Sequence, residues 1–280
     1  MKSVYKIPQK IKCLTDERKR KSIPLFNIVM PVLLFLMLQY ESFHTIFSAP
    51  ESMSKRLKNC LSRKKHTGET EYFYRSVVCM IIGKSPHVIL GQEMLKPRDG
   101  SGKDEGELTG GKRLIERLKK RHGHFADVIV ADALYLNAPF INTLKENGLE
   151  GCPYKLRVVR YHEQWEENGK ETERFMWLVT TLEAADYRVL WEMMHRRWDI
   201  EENGFHQLKT YYHAKHCYCR DAVETIFNLI SIGFNVRELY LYRRSRNFAG
   251  SGISRKSINR IFCDELLTEK VKQILYEKGG

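Results

Sequence analysis

No uninterrupted apolar run in the chain is long enough to span a bilayer. The closest, "IPLFNIVMPVLLFLMLQY" at 23–40, is broken by Asn27 and Pro31. It falls short of the roughly 20 apolar residues that a spanning helix needs. A buried helix of a soluble, cytoplasmic protein is the expectation, although "RKRK" at 18–21 precedes the run as it would a signal anchor. A disulfide framework is also missing. The seven cysteines are odd in number and irregularly spaced, and no secretory signal opens the sequence, which points to a reducing compartment. Cys217 and Cys219 follow His213 and His216 in "HAKHCYC", but a Cys-x-Cys pair lacks the usual two-residue gap of a zinc knuckle, and no second pair answers it. No internal repeat is present. Acidic charge is scarce: 34 Asp and Glu stand against 47 Lys and Arg, for a net charge of +13. That imbalance favours an anionic partner, nucleic acid before membrane surface.

What is present reads as one large domain or two modest ones. Residues 1–22 look like a basic, poorly packed arm. Residues 23–47 look like one or two helices, and 48–70 are basic and weakly periodic. From 71 the character changes. "EYFYRSVVCMIIG" and "HVILGQEML" are rich in β-branched and aromatic residues and predict a hairpin across "KSP". A Gly-rich loop leads to an amphipathic helix at 112–123 stopped by Gly123. "ADVIVADALY" at 126–135 is almost wholly apolar, as a central strand buried on both faces would be. Asn137 is placed to cap the helix that follows and ends at Gly148. A second hairpin is expected at 154–182 around "ENGKE". A helical stretch follows at 185–212, then an apolar helix at 221–242, a flexible basic linker at 243–260 and a terminal helix. The fold class is α/β, a mixed sheet with helices against it.

Two carboxylates stand out. Asp132 closes the apolar "VIVA" run, at the carboxyl end of an expected strand, where open sheets place ligands. The alternative is an Asp that caps the next turn. Glu201 lies one helical turn after Arg197 in "HRRWDIEENGFHQLK". It either points into a site or makes a surface ion pair. Carboxylates from distant segments of a basic protein suggest Mg²⁺ (or Mn²⁺) chemistry on phosphodiesters. Arg197 and Lys209 would neutralise phosphate.

"VIVADALYLNAPFI" followed by "RRWDIEENGFHQLK" resembles the DDE transposases of bacterial insertion sequences. It is similar in particular to the insertion-sequence-four group, with its Tyr-x2-Arg-x3-Glu-x6-Lys signature. The resemblance runs over about 71–242 and more weakly through the amino-terminal helices. It implies an RNase H-like catalytic domain over 61–242, with a β insertion at about 150–184. A basic arm and helical remnant (1–60) would precede it, and a basic linker and helix (243–280) would follow. It also implies two Mg²⁺ ions, cleavage of double-stranded DNA at terminal inverted repeats, strand transfer into target DNA, and a homodimer at the bacterial nucleoid with no membrane role. Asp132 and Glu201 would be the second and third acidic ligands. Arg197 would be the signature arginine. Trp165, near the hairpin tip, would stack on a flipped or unpaired base or else serve as a packing aromatic.

The pattern departs from the family in three places. Met194 stands at the signature tyrosine. Leu208 stands at the lysine spacing, with Lys209 one residue late, and a lysine spacing counted from Glu202 instead would put Trp198 at the arginine position. No Asp lies between Asp16 and Asp99. The carboxylates ahead of the first hairpin are Glu41, Glu51, Glu69 and Glu71, and none ends a convincing strand. Asp99 and Asp104 come too late in strand order. An internal deletion of the first strand and its metal ligand is the expectation, and with it impaired catalysis. A non-catalytic DNA-binding remnant that represses an intact relative is the alternative.

Overall fold

Apolar residues spaced at three and four build the helices, and short alternating runs build three hairpins. The computed structural model describes residues 6–17, 21–37, 60–97, 103–149, 156–215, 222–248 and 250–266. It divides into two units, Met1–Ala49 with Leu208–Gly280, and Pro50–Gln207.

The first unit is helical: α1 (Ile7–Lys12), α2 (Leu25–Met37), and, from the later chain, α7 (Val223–Phe248) and α8 (Arg255–Leu266). Ile7, Ile11, Leu33, Met37, Val236 and Phe262 form its core. At Gly233 a Cβ would meet Met37 Cγ at 3.3 Å, so a side chain there would push α7 off α2. Two expectations change here, for the arm and the linker, and the helix expected in the apolar run is present. The amino-terminal arm is packed, because Ile7 and Ile11 sit one turn apart and both enter the core. The apolar run forms α2, and among the described residues no helix is long and apolar enough to cross a membrane. The basic linker is mostly helix: α7 continues to Phe248 and α8 starts at Arg255, with Gly250 and Gly252 turning the chain at φ 72° and 64°.

The second unit opens with β1 (Leu61–Lys64) against β2 (Thr70–Phe73), a hairpin in a stretch that looked aperiodic. Next, β3 (Ser76–Met80) pairs with β4 (Ile89–Met94), as the β-branched runs predict. Helix α3 (Glu107–His122) lies on that hairpin. At Gly91 a Cβ would stand 3.0 Å from Leu118 and 3.2 Å from Leu114, so the glycine lets helix and strand approach closely. A buried ion network fixes the same contact. Arg113 Nε donates to Glu93 at 3.0 Å, and its fork also donates to Glu105. Arg117 adds a second bond to Glu93 at 2.7 Å. Glu105 also accepts from the Lys96 amide at 2.8 Å. Burial pushes the Glu105 carboxyl up, but the Arg113 and Lys96 hydrogen bonds and charges outweigh it and hold the group below its ordinary value.

Helix α4 (Ala138–Glu146) begins where expected, with the Asn137 side chain accepting from the Phe140 amide at 3.0 Å. The second expected hairpin is also present: β5 (Arg157–Glu167) and β6 (Lys170–Thr180) pair in continuous register across Asn168 and Gly169, both at positive φ. Helix α5 (Tyr187–Arg196) follows, capped by Asp186.

The main correction concerns 126–132. This run is not a central strand. Every ladder among the described residues is a separate two-stranded antiparallel sheet, and none includes it. A central strand needs a hydrogen-bonding neighbour on each side, and none of the described residues supplies one. Ile129 tucks against the Ile115, Phe140 and Leu149 cluster, while Val128 stays 42% exposed. The fold is α/β in content, helices with small antiparallel sheets.

Glu105, with its side chain only 2% exposed, supplies the first test. Glu105→Gln leaves Arg113 short of a charge partner and is expected to cost about 3 kcal/mol in urea unfolding at neutral pH. The folded-state value is depressed, so the contribution is complete above the ordinary carboxylate range. It is lost as pH falls through the lowered value. The gap between wild type and variant should therefore narrow in acid, and a gap that widens would contradict this assignment.

Candidate nucleic-acid interface

Asp132 precedes a 3-10 turn, Ala133–Tyr135, and its side chain caps nothing. It is exposed. Its recorded neighbour is Tyr135, whose phenol is raised to about 12 by burial first and then by the charges of Glu107 and Asp132. The turn itself is held by the Tyr135 amide donating to the Asp132 carbonyl at 3.0 Å.

Glu201 lies in a π-helical stretch, Ile200–His206, that follows α5. Such wide turns occur mostly as short insertions at functional sites. Two contacts seat this stretch on the β3–β4 hairpin. The Gly83 amide donates to Asp199 Oδ2 at 2.9 Å, and a Cβ on Gly204 would meet the Met80 side chain at 3.1 Å. Arg197 Nη1 donates to Glu201 Oε1 at 2.9 Å, as their four-residue spacing predicts. The Glu201 side chain is 53% exposed. Glu202 is also exposed and carries no recorded partner. Leu208 is buried in the short helix Gln207–Thr210 (α6), and Lys209 is exposed. Among the described residues no hydrogen bond joins Asp132 to Glu201. Among the described residues no three His, Cys, Asp or Glu side chains gather as a metal site, so the residues present do not fit a complete divalent-ion cage. The "HAKHCYC" cysteines lie outside the described residues. Glu41 and Glu51 do too, whereas Glu71 lies on β2, paired with Arg63 at 2.6 Å. Asp104, although late in the chain, reaches back to β1 and accepts from the Ser62 amide at 2.9 Å.

The richest arrangement lies between the second hairpin and α5. Alternation puts Tyr161, Glu163 and Trp165 on one face of β5, with Arg174 on the same face of β6. That face meets the helix. Tyr161 donates to the Tyr187 carbonyl at 2.6 Å. Glu163 takes three partners: Arg174 at 2.7 Å, the Trp191 indole N–H at 2.7 Å and His195 Nε2 at 2.9 Å. Burial raises the Glu163 carboxyl, but the Arg174 and Trp191 hydrogen bonds and the nearby charges more than reverse this and hold it below its usual range. Trp191 stacks on His195 with centroids 3.9 Å apart. A cleft of about 690 Å³ opens beside them, lined by Tyr161, Tyr187, Trp191, His195 and Arg196 among others. Trp165 is 40% exposed and borders a second cleft with Glu163 and Arg174. The opposite face of the hairpin displays Arg160 over Phe175 at 4.4 Å and over Trp177 at 5.5 Å, and Trp177 is 66% exposed. Sequence reasoning singled out Trp165 but not Glu163, Trp191 or His195. The period-two row of β5 was the signal that could have found Glu163.

A family model described as a transposase DDE domain matches residues 54–235. No curated protein and no solved structure matches the chain. Two outcomes test this geometry. An exposed ion pair is worth little, so Glu201→Gln, which leaves Arg197 over the Trp198 ring, should change stability in urea by no more than about 0.5 kcal/mol. A larger loss would make the pair structural. Asp132→Asn removes one of the charges holding the Tyr135 phenol high, so the Tyr135 ring signal, resolved by NMR from the other tyrosines, should titrate at lower pH than in wild type. An unchanged midpoint would place Asp132 elsewhere.

Proposed function

We propose, for a chain that belongs to the transposase DDE domain family, a DNA-end-binding role in which the catalytic step is impaired. Transposase-type function follows from family membership. The family acts on DNA and uses a divalent metal. The finer reading concerns this chain. Glu201 and Arg197 occupy the signature glutamate and arginine, and Asp132 the second acidic position. Arg197 and Lys209 neutralise backbone phosphate, and Trp165 stacks on an unpaired base. A π turn holds one residue more than an α turn, which gives a local reason for the lysine to arrive one residue late.

One observation supports the impairment. The sequence offers no aspartate between Asp16 and Asp99, and among the described residues the apolar run that should end in Asp132 has no strand beside it. A strand lost from an RNase H-like sheet would remove the first acidic ligand and the neighbour of 126–132 together. Asp132 and Glu201 remain as the carboxylates that would hold Mg²⁺ or Mn²⁺, an incomplete set. The net charge of +13 sustains binding to double-stranded DNA without them. Two copies would pair two element ends. The same observation favours the second reading, a non-catalytic remnant that occupies inverted repeats and represses an intact relative.

The test uses a supercoiled plasmid carrying the ends of the element that encodes the chain. Retained binding is expected, weakening steeply with added salt, together with little or no nicking in Mg²⁺ or Mn²⁺. Asp132→Ala and Glu201→Ala should leave binding within about threefold of wild type. Metal-dependent nicking and joining at wild-type levels, abolished in either variant, would overturn the impairment. Absence of DNA binding would overturn the function.

A further inference from the structure

We infer that Glu163 is a positioning residue, a clamp that fixes the orientation of the Arg197–Glu201 pair through a shared tryptophan. The inference rests on the reading that this pair faces DNA. It is carried by an unbroken series of contacts. Glu163 Oε1 accepts from Trp191 Nε1 at 2.7 Å and faces His195 Nε2 at 2.9 Å, which ties the hairpin to two successive turns of α5. Its other oxygen accepts from Arg174 Nη2 at 2.7 Å and Nε at 3.2 Å, which fixes the plane of that guanidinium. The Arg174 guanidinium lies 5.3 Å from the centre of the Trp198 ring. Arg197 lies 5.3 Å from the centre of the same ring, and it holds Glu201 at 2.9 Å.

Trp198 is therefore a platform shared by two cations, one from the hairpin and one from the helix. Like charges placed over one ring compete for its negative faces unless something neutralises one of them. Glu163 neutralises Arg174, and Glu201 neutralises Arg197. The series has a carboxylate at each end, and the end at Glu163 is the sequestered one, its side chain 17% exposed against 53% for Glu201. His195 closes the arrangement from the helix side. Its Nδ1 lies 2.9 Å from the Trp191 carbonyl, and its ring meets Trp198 edge-on at 5.2 Å. A change at Glu163 thus reaches Arg197 through rigid planar groups rather than through flexible chain.

All four tryptophans of the chain, Trp165, Trp177, Trp191 and Trp198, lie on the hairpin, on the helix it clamps or in the turn directly after that helix. Fluorescence excited selectively at tryptophan therefore reports this module. Glu163→Gln keeps the shape but removes the charge. Arg174→Lys keeps the charge but removes the planar fork. Both should shift tryptophan emission while leaving the far-ultraviolet dichroism of the full-length chain unchanged. The functional readout is a double-mutant cycle on affinity for duplex DNA carrying the element end. Arg197→Ala should weaken binding about tenfold in the wild-type background and less than about threefold in either the Glu163→Gln or the Arg174→Lys background. Equal losses in all three backgrounds would overturn the positioning role, as would unchanged emission in Glu163→Gln. If Arg197→Ala has no effect on wild-type binding, the DNA-facing reading of the pair fails instead, and the emission shift alone then decides whether the clamp exists.

Discussion

Arg113 is the residue on which the second unit depends. Its guanidinium is shared between Glu93 on β4 and Glu105 in the loop before α3, so one side chain joins strand, loop and helix. A partly buried cation bridging two carboxylates, one of them fully buried at Glu105, is costly to break, because removing Arg113 would strand the Glu105 charge away from water. The surrounding glycine positions make the contact possible. Without the close approach at Gly91, α3 could not lie near enough to β4 for Arg113 to reach Glu93.

From that hairpin the order passes to the segment carrying Glu201. The turn after β3 offers the Gly83 amide, and Asp199 takes it at 2.9 Å. Met80, at the end of β3, fills the space that a side chain at Gly204 would need. The π stretch is thus held at both ends of its first turn, while Glu201 itself projects outward.

Local signals in the sequence were reliable wherever the structure is local. Asn137 caps α4, Gly123 ends α3, and "ENGKE" turns the second hairpin, because each of these depends on a few neighbouring residues. The Arg197–Glu201 pair was legible for the same reason. The run at 126–132 was not, because hydrophobicity reports a wish to be buried and says nothing about whether a partner strand exists. Glu163 was missed because its meaning lies in α5, about thirty residues on. The packing of Ile7 and Ile11 was hidden under surrounding lysines, whose charge masked a one-turn apolar face.

The charge of the second hairpin argues for how the module would meet DNA. Between Arg157 and Thr180 there are five glutamates (163, 166, 167, 171 and 173) against Arg157, Arg160, Lys170 and Arg174, in a chain that is otherwise strongly basic. Three of those cations are already engaged, Arg174 with Glu163, Arg160 over aromatic rings and Arg157 with the Ala185 carbonyl. Such an element cannot supply a sequence-independent grip on phosphate, since its acidic tip would repel the backbone. That grip must come from elsewhere, for example the run Lys119, Lys120, Arg121 and His122 at the end of α3. Under the proposed DNA-binding reading, the hairpin would offer aromatic planes to bases that are already unstacked rather than attract the duplex. Affinity and base contact are then carried by different surfaces. Salt should weaken the first and leave the second largely unchanged.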